Sequence, residues 1–369
     1  MNVQYVGPAK DYSGYGEAVR HDIGALVAAG LEVTCKIPRY TQESTDFGRL
    51  GRVVDELENR ELDYRINIVH TTPDQFPKYR EDGKYNIGRV FWETDKIPPD
   101  FAYGCSLMDE IWTGSEFNAQ AIRNAGINVP IYVIPEAIDT DVDSNLKPFK
   151  SAADKTFNFY SIFEWTERKN PDALLRAYWS EFNETDNVSL VIKTYLDDFS
   201  VAKRRDISVA IGAIKAALGL DYYAPVYLYR DLMLREQIYR LHKSFHCFVS
   251  AHRGEGWGIP QMEAMLMGRP IISTDLGGIH EYLTDGKDAM LIPCTMKPVI
   301  NTRNTQWYLH DQNWGQIEIK DLQKAMRAMY SDKAKATKMG ANARDTVNKL
   351  FSLEAVGETM LNRLREIHS

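Results

Sequence analysis

Two carboxylates, Glu255 and Glu263, stand eight positions apart (263 − 255) in the segment Arg-Gly-Glu-Gly-Trp-Gly-Ile-Pro-Gln-Met-Glu-Ala-Met-Leu-Met from Arg253 to Met267. Gly254, Gly256 and Gly258 let a backbone approach a ligand closely, and Pro260 suits the first turn of a helix, where its missing N–H would have no partner anyway. A helix starting near Pro260 offers its unpaired amides and the positive end of its dipole to an anion such as a diphosphate. Glu255 precedes that turn and Glu263 lies about one turn inside it. The bland readings are a helix-capping Glu255 and a solvated Glu263. The apolar run Pro-Ile-Ile-Ser-Thr from Pro270 then reads as a buried strand.

Arg168 and Lys169, in Trp165-Thr-Glu-Arg-Lys-Asn170, sit just before a helix whose dipole they oppose, so either a bound anion or simple solvation accounts for them. Gly14-Tyr15-Gly16 opens the first long helix, where free amides can meet phosphate or merely make a turn. Glu93, in Phe91-Trp-Glu-Thr-Asp95, and His70, after the apolar run Ile66 to Val69, are polar groups at strand ends, with functional and structural readings equally open.

These residues need a scaffold. A chain of 369 residues exceeds what one hydrophobic core usually serves, so two domains are expected. Its composition, 44% hydrophobic and 26% charged, excludes a disordered chain. No apolar run reaches the ~18 residues of a membrane span, and the N-terminal residues lack the pattern of a signal peptide. Lys plus Arg 44 against Asp plus Glu 51 gives −7, which argues against general capture of nucleic acid. The four cysteines, Cys35, Cys105, Cys247 and Cys294, lack metal-ligand or redox spacing, so reduced thiols and a cytoplasmic location are the expectation.

Residues 1–145 alternate strand and helix patterns at β-α spacing, and the alternation restarts near 156 and runs to 350. Between them, Glu136 to Thr156 reads as a polar linker. The final segment 352–369 carries Val356, Met360, Leu364 and Ile367 on one helical stripe. In open α/β sheets ligands gather beyond the carboxyl ends of strands. Three loops hold that position, Gly14 to Gly16, Glu164 to Lys169 and Arg253 to Gly258, which points to a ligand between the domains.

The string Glu255 to Met265, with Gly268, Pro270 and Gly277-Gly278-Ile-His-Glu281, resembles the Glu-x7-Glu signature of retaining GT-B glycosyltransferases of the family 4 type, the glycosyl transferases group 1. The resemblance implies an α/β GT-B fold, two Rossmann-like domains facing each other across a cleft, with helix 352–369 packed back on the first. It implies a hexosyltransferase-like enzyme that moves a sugar from a nucleotide-diphosphate sugar to a hydroxyl acceptor with retention of configuration.

By the same resemblance Lys169 and Arg168 grip the donor diphosphate, Glu263 accepts from the ribose hydroxyls, and Glu255 reaches the transferred sugar. Gly14, Gly16, Gly256, Trp257, Gly258 and Ile259 complete the donor contacts, and Glu93 stands where many relatives carry a catalytic His. Many relatives also separate the Arg and Lys that are adjacent here. Neither glutamate needs to be a nucleophile, because stabilising charge on the leaving diphosphate is the main requirement.

Asp139, Asp141, Asp197 and Asp198 imitate the acidic metal sites of other glycosyltransferases without accompanying ligands, so no essential metal or other cofactor is expected. Lys203, Arg204, Arg205 and Lys215 flank a stripe of Ile207, Ile211, Ile214 and Leu218, which reads as core-facing with at most peripheral membrane contact. The aromatic stretch Trp307 to Trp314 either packs or touches an acceptor. A glycoside hydrolase or phosphorylase also uses two carboxylates but does not account for the anion-binding features. An inactive nucleotide-sugar-binding protein is the other alternative. The acceptor, whether glycan, lipid, small molecule, protein or modified nucleic acid, is not encoded in any motif above.

Overall fold

The computed structural model describes residues 1–39, 46–143, 145–149, 153, 157–300 and 302–368. Its contacts divide the chain into two units, Met1–Asp143 with Glu255–Ile259 and Thr346–Ser369, and Ser144–Gly254 with Pro260–Asp345.

In the first unit the chain runs β1 (Asn2–Val6), α1 (Gly14–Ala28), β2 (Glu32–Lys36), α2 (Gly48–Leu57), β3 (Ile66–Val69), α3 (Phe76–Tyr79), β4 (Tyr85–Val90), α4 (Pro99–Ser106), β5 (Glu110–Thr113), α5 (Glu116–Asn124) and β6 (Ile131–Val133). The strands form one sheet in the order β2-β1-β3-β4-β5-β6, every pairing parallel. Strands such as β3, buried along their whole length, explain the unbroken apolar runs in the sequence, since helices cover both faces of a parallel sheet. Ser13 caps α1 by accepting from the amide of Gly16, and Ser115 caps α5 through the amide of Asn118.

The second unit contains β7 (Phe157–Glu164), α6 (Pro171–Glu181), β8 (Val188–Tyr195), α7 (Val201–Leu218), β9 (Val226–Tyr229), α8 (Arg235–Ser244) and β10 (Cys247–Ser250). In chain order there follow α9 (Ile259–Leu266), β11 (Ile271–Thr274), β12 (Ala289–Ile292), β13 (Cys294–Pro298), β14 (Asn313–Ile317), α10 (Ile319–Ser331), α11 (Lys333–Leu350) and, counted with the first unit, α12 (Leu353–His368). Its sheet has the order β12-β11-β10-β7-β8-β9, again all parallel. Asn170 caps α6 from a left-handed conformation, φ 55°, and accepts from the amide of Ala173, so the loop after β7 turns sharply into its helix. Ile207 and Ile214 of α7 are buried in this unit's core.

Helix α12 belongs to the first unit. Leu353, Val356, Met360 and Leu364 join Val19, Ile23 and Leu26 of α1 in one core. The two helices meet backbone to backbone, because a Cβ at Gly357 would lie 2.2 Å from the carbonyl oxygen of Ala25.

One sequence expectation needs correction. Glu136, Ala137 and Ile138 do not open a linker; all three are buried in the first unit, and the amide of Ile138 donates to the carbonyl of Phe351 at 2.8 Å. The polar composition misled because the chain remains in the domain while carrying a buried glutamate. The later part of that stretch, 144, 150–152 and 154–156, lies outside the described residues. The aromatic stretch ending at Trp314 runs into β14, which pairs antiparallel with β13. Most of β13 is exposed, so its alternation gave no signal.

The close helix contact makes a prediction. Gly357→Ala should destabilise the first domain by about 1 to 3 kcal/mol through overpacking. Gly212→Ala, at an exposed position of α7 with nothing within 4 Å of the added carbon, should instead stabilise by about 1 kcal/mol. Urea unfolding followed by tryptophan fluorescence checks both, and equal stability of the two variants would refute the backbone contact.

Candidate functional site

In the second sheet the chain steps from β7 outward to β8 and β9, then returns to the other side of β7 with β10. The winding therefore reverses between β7 and β10, the position at which open α/β sheets form a ligand crevice beyond their strand ends. The loop after β7 carries Glu164 to Lys169, and the loop after β10 carries Arg253 and Gly254. They are stitched together. The Arg168 guanidinium donates from Nη1 to the carbonyl of Gly254 at 2.9 Å, and the amide of Arg253 donates to the carbonyl of Arg168 at 2.7 Å. Arg253 Nη1 donates to the carbonyl of Glu167 at 2.5 Å.

The sequence places Arg253 in this loop but gives it no role. Besides the bond to Glu167, its Nε donates to Gln316 Oε1 at 3.1 Å and its guanidinium lies 5.3 Å from the ring centre of Trp314. Its carbonyl accepts from the amide of Gly315 at 2.6 Å, so the β13–β14 ribbon braces the crevice. Lys169 is half-buried in a turn closed by its amide and the carbonyl of Thr166, 3.1 Å. Burial raises the Glu164 carboxyl above its ordinary range, with Arg168 opposing the shift.

Glu263 is not a solvated helix residue: it is 2% exposed. Arg235 forms an ion pair with Oε1, and His242 Nε2 lies 3.0 Å from Oε2. The other ring nitrogen of His242 lies 2.9 Å from the Tyr160 hydroxyl.

Lys193, at the carboxyl end of β8, is also buried, with its ammonium 5.8 Å and 5.1 Å from the ring centres of Tyr195 and Phe199. Burial pushes it down to about 8. Its one sequence signal was a cation inside the apolar strand Val188–Tyr195.

The first sheet has its own reversal, between β1 and β3. The loop after β1 is held by Arg20, whose Nη1 donates to the carbonyls of Ala9 and Asp11 at 2.6 and 2.9 Å. Gly16 is required by that loop, since a Cβ there would lie 2.2 Å from the carbonyl oxygen of Asp11; Gly14 has open space up to Ile259 at 4.0 Å. His70, after β3, is wholly buried between Tyr15 and Phe91, with ring centres 5.0 and 5.6 Å away.

His70 Nδ1 lies 2.8 Å from the Tyr5 hydroxyl, which donates to Asp22 Oδ2 at 2.8 Å, and Arg89 Nε donates to the same oxygen at 2.8 Å. A tyrosine hydroxyl has one proton, here directed at the carboxylate, so His70 must carry its own on Nδ1. Burial, aided by Arg89, holds the imidazole neutral, and its Nε2 has no hydrogen-bond partner among the described residues.

Glu93 is half-buried in the loop after β4, beside a turn in which Trp92 Nε1 donates to Thr94 Oγ1 at 2.6 Å. Within the segment counted with the first unit, Glu255 and Trp257 are buried and the Trp257 ring centre lies 5.7 Å from that of Phe351. A Cβ at Gly256 would come within 3.2 Å of Phe91, and Gly258 has φ 105°, a conformation glycine favours. Ile259 is the first residue of α9.

Asp139 pairs with Arg49 at 2.5 Å and Asp197 with Lys203 at 2.5 Å. Among the described residues no group of three or more His, Cys, Asp or Glu is placed to hold a metal ion, and no helix is long and apolar enough to cross a membrane.

Glu136 supplies a pH test. Burial raises its carboxyl well above the ordinary 4.5, with Asp22 adding to the shift and Arg89 opposing it. The native state therefore keeps a proton that the unfolded chain releases. The stability this contributes is complete below the unfolded value and is lost as pH rises through the folded one. Glu136→Gln, neutral at every pH, should gain stability relative to wild type as pH is raised from about 4.5, by at most about 1.4 kcal/mol per pH unit. Urea titrations across that range check it; parallel pH profiles for the two proteins would mean that the carboxyl ionises as readily in the fold as outside it.

Residues 155–299 match the family model described as glycosyl transferases group 1. No curated protein sequence matches the chain. Similar solved structures include HepE of Anabaena in complex with UDP and glucose, 14% identical, with 99% of this chain and 100% of that one covered and a TM-score of 0.67. Sucrose-phosphate synthase of Thermosynechococcus elongatus is 15% identical, with 100% and 99% covered and a TM-score of 0.71. A glycosyltransferase of Rickettsia africae is 16% identical, with 100% and 99% covered and a TM-score of 0.68. At such identities the likeness is one of fold. The chain thus has the GT-B fold, built from two Rossmann-like α/β domains with parallel sheets, and over residues 155–299 it carries a group 1 glycosyltransferase domain.

Proposed function

We propose that the protein is a retaining glycosyltransferase of the family 4 type that transfers a hexosyl group from a nucleoside-diphosphate sugar to a hydroxyl acceptor. The observation that carries this reading is the pair of stitched loops at the reversal of the second sheet, inside the segment that matches the group 1 model. Arg168 and Arg253 tie the crevice into one shape. In this reading Lys169, beside Arg168 on the loop after β7, meets the donor diphosphate as a point charge.

In this reading the departing diphosphate gains negative charge as the sugar bond breaks, and Lys169 with the first amides of α9 stabilises it. Glu263 accepts from the ribose, Glu255 orients the transferred sugar, and Gly256 to Ile259 supply backbone close to the donor. The charge is met without an essential metal. HepE, a fold neighbour, is described with UDP and glucose, which makes UDP the first probe. The dispersed free thiols support action in the cytoplasm.

Calorimetry separates charge recognition from shape. The wild type should bind a nucleoside diphosphate, from a screen of UDP, GDP and ADP, far more tightly than its nucleoside. Lys169→Ala should weaken the diphosphate by about 1.5 to 3 kcal/mol and leave the nucleoside nearly unchanged. If both ligands weakened equally, the leaving-group role would have to be withdrawn, and absence of any nucleotide binding would return the hydrolase alternative.

Turnover of a nucleotide sugar should persist in EDTA. Collapse in the chelator with recovery on adding Mn²⁺ or Mg²⁺ would show that a metal carries the charge assigned to Lys169.

A further inference from the structure

The best-defined polar construction in the second domain lies behind Glu263. Four residues from three elements form a line: Tyr160 on β7, His242 and Arg235 on α8, and Glu263 on α9. Tyr160 and His242 are wholly buried, and Glu263 nearly so. Such a line is costly to bury and contributes little to stability unless every member is satisfied. The Tyr160 hydroxyl, the His242 imidazole and the facing Glu263 oxygen are satisfied in one proton arrangement only.

The Tyr160 hydroxyl is held protonated by burial, and burial also holds the His242 imidazole neutral. A neutral imidazole donates from one nitrogen and accepts at the other. A lone pair on Nε2 would face the lone pairs of Glu263 Oε2 at 3.0 Å, so Nε2 must carry the proton. Nδ1 is then the acceptor, and the Tyr160 hydroxyl donates to it at 2.9 Å. Arg235 takes the other carboxylate oxygen and is itself steadied by the Tyr239 hydroxyl at 3.1 Å and by stacking 4.5 Å above that ring. Both oxygens of Glu263 are thereby fixed in position.

We infer that Tyr160, His242 and Arg235 are positioning residues that aim the Glu263 carboxylate at the vicinal hydroxyls of the donor ribose, with the Tyr160 hydroxyl fixing which imidazole nitrogen faces Glu263. This rests on the donor-binding reading above and adds the device that makes it selective. A carboxylate that rotates freely accepts from hydroxyls and water alike, whereas one locked at both oxygens discriminates by geometry.

The test compares the nucleoside diphosphate that binds in a UDP, GDP and ADP screen with its 2′,3′-dideoxy form by calorimetry. Wild type should prefer the ribose form by roughly tenfold or more, the worth of a hydrogen bond to a charged acceptor. Tyr160→Phe keeps the ring packed 5.2 Å from Phe248 and removes only the hydroxyl. It should lower that preference several-fold while the dideoxy ligand binds as before. His242→Phe should nearly abolish the preference, and His242→Gln, which restores a donor toward Glu263, should recover part of it.

Thermal unfolding of each variant accompanies the titrations. A purely structural role would lower the unfolding midpoint and weaken both ligands alike, leaving their ratio unchanged, and that result overturns the inference. A wild type that prefers the ribose form, with a ratio untouched in Tyr160→Phe and His242→Gln, overturns it too, while sparing the donor reading. Equal binding of the two ligands by wild type would remove the ribose role of Glu263 itself, and the inference with it.

Discussion

Parallel pairing is the constraint on which the rest depends. Strands that run the same way cannot be joined by a short hairpin, so the chain must return across a face after each one, and every strand delivers its carboxyl end to the same side. Where the winding reverses, neighbouring loops leave in opposite directions and a gap opens between them. In the second sheet that gap lies between β7 and β10, and the loops at its rim carry Arg168, Lys169, Arg253 and Gly254. In the first it lies between β1 and β3, beside the loop held by Arg20 and beside His70.

Both domains bury charges that lost solvation would otherwise expel, and the protein retains them in two ways. Some are matched: Asp22 with Arg89, Glu263 with Arg235 and His242. Others shift their protonation instead, as Glu136 does upward and Lys193 downward, each driven chiefly by lost solvation. Matched groups keep a fixed direction, which a binding site needs. Shifted groups hold charge loosely.

How much of this could be read from residues alone depended on whether the signal was local. The β-α alternation, the start of α1 at Gly14 and the start of α9 beside Pro260 are set by neighbours in sequence, and they were legible. Glu255, Glu263, Arg168 and Lys169 stood out because glycines and a helix start lie within a few positions of them. The partners of these residues were not legible. Arg235 and His242 are more than twenty positions from Glu263, and Gln316 is more than sixty from Arg253, joined only after the sheet forms. Glu136 was hidden for the opposite reason. Its neighbours are polar and lack periodicity, as in a linker, and only the tertiary fold places it beside Asp22 and Arg89.

The return of α12 to α1 carries a consequence for how the molecule is made. Leu353, Val356, Met360 and Leu364 complete a core whose other members lie before Asp143, so the first domain leaves the ribosome with that apolar face uncovered. It stays uncovered while the whole second domain is synthesised. Domains generally fold as units in order of synthesis, but here the order is inverted: the second domain has all the chain it needs before the first does. During that interval the open face of α1 is a site for chaperones or for self-association, and the rate of elongation through the second domain sets how long it lasts.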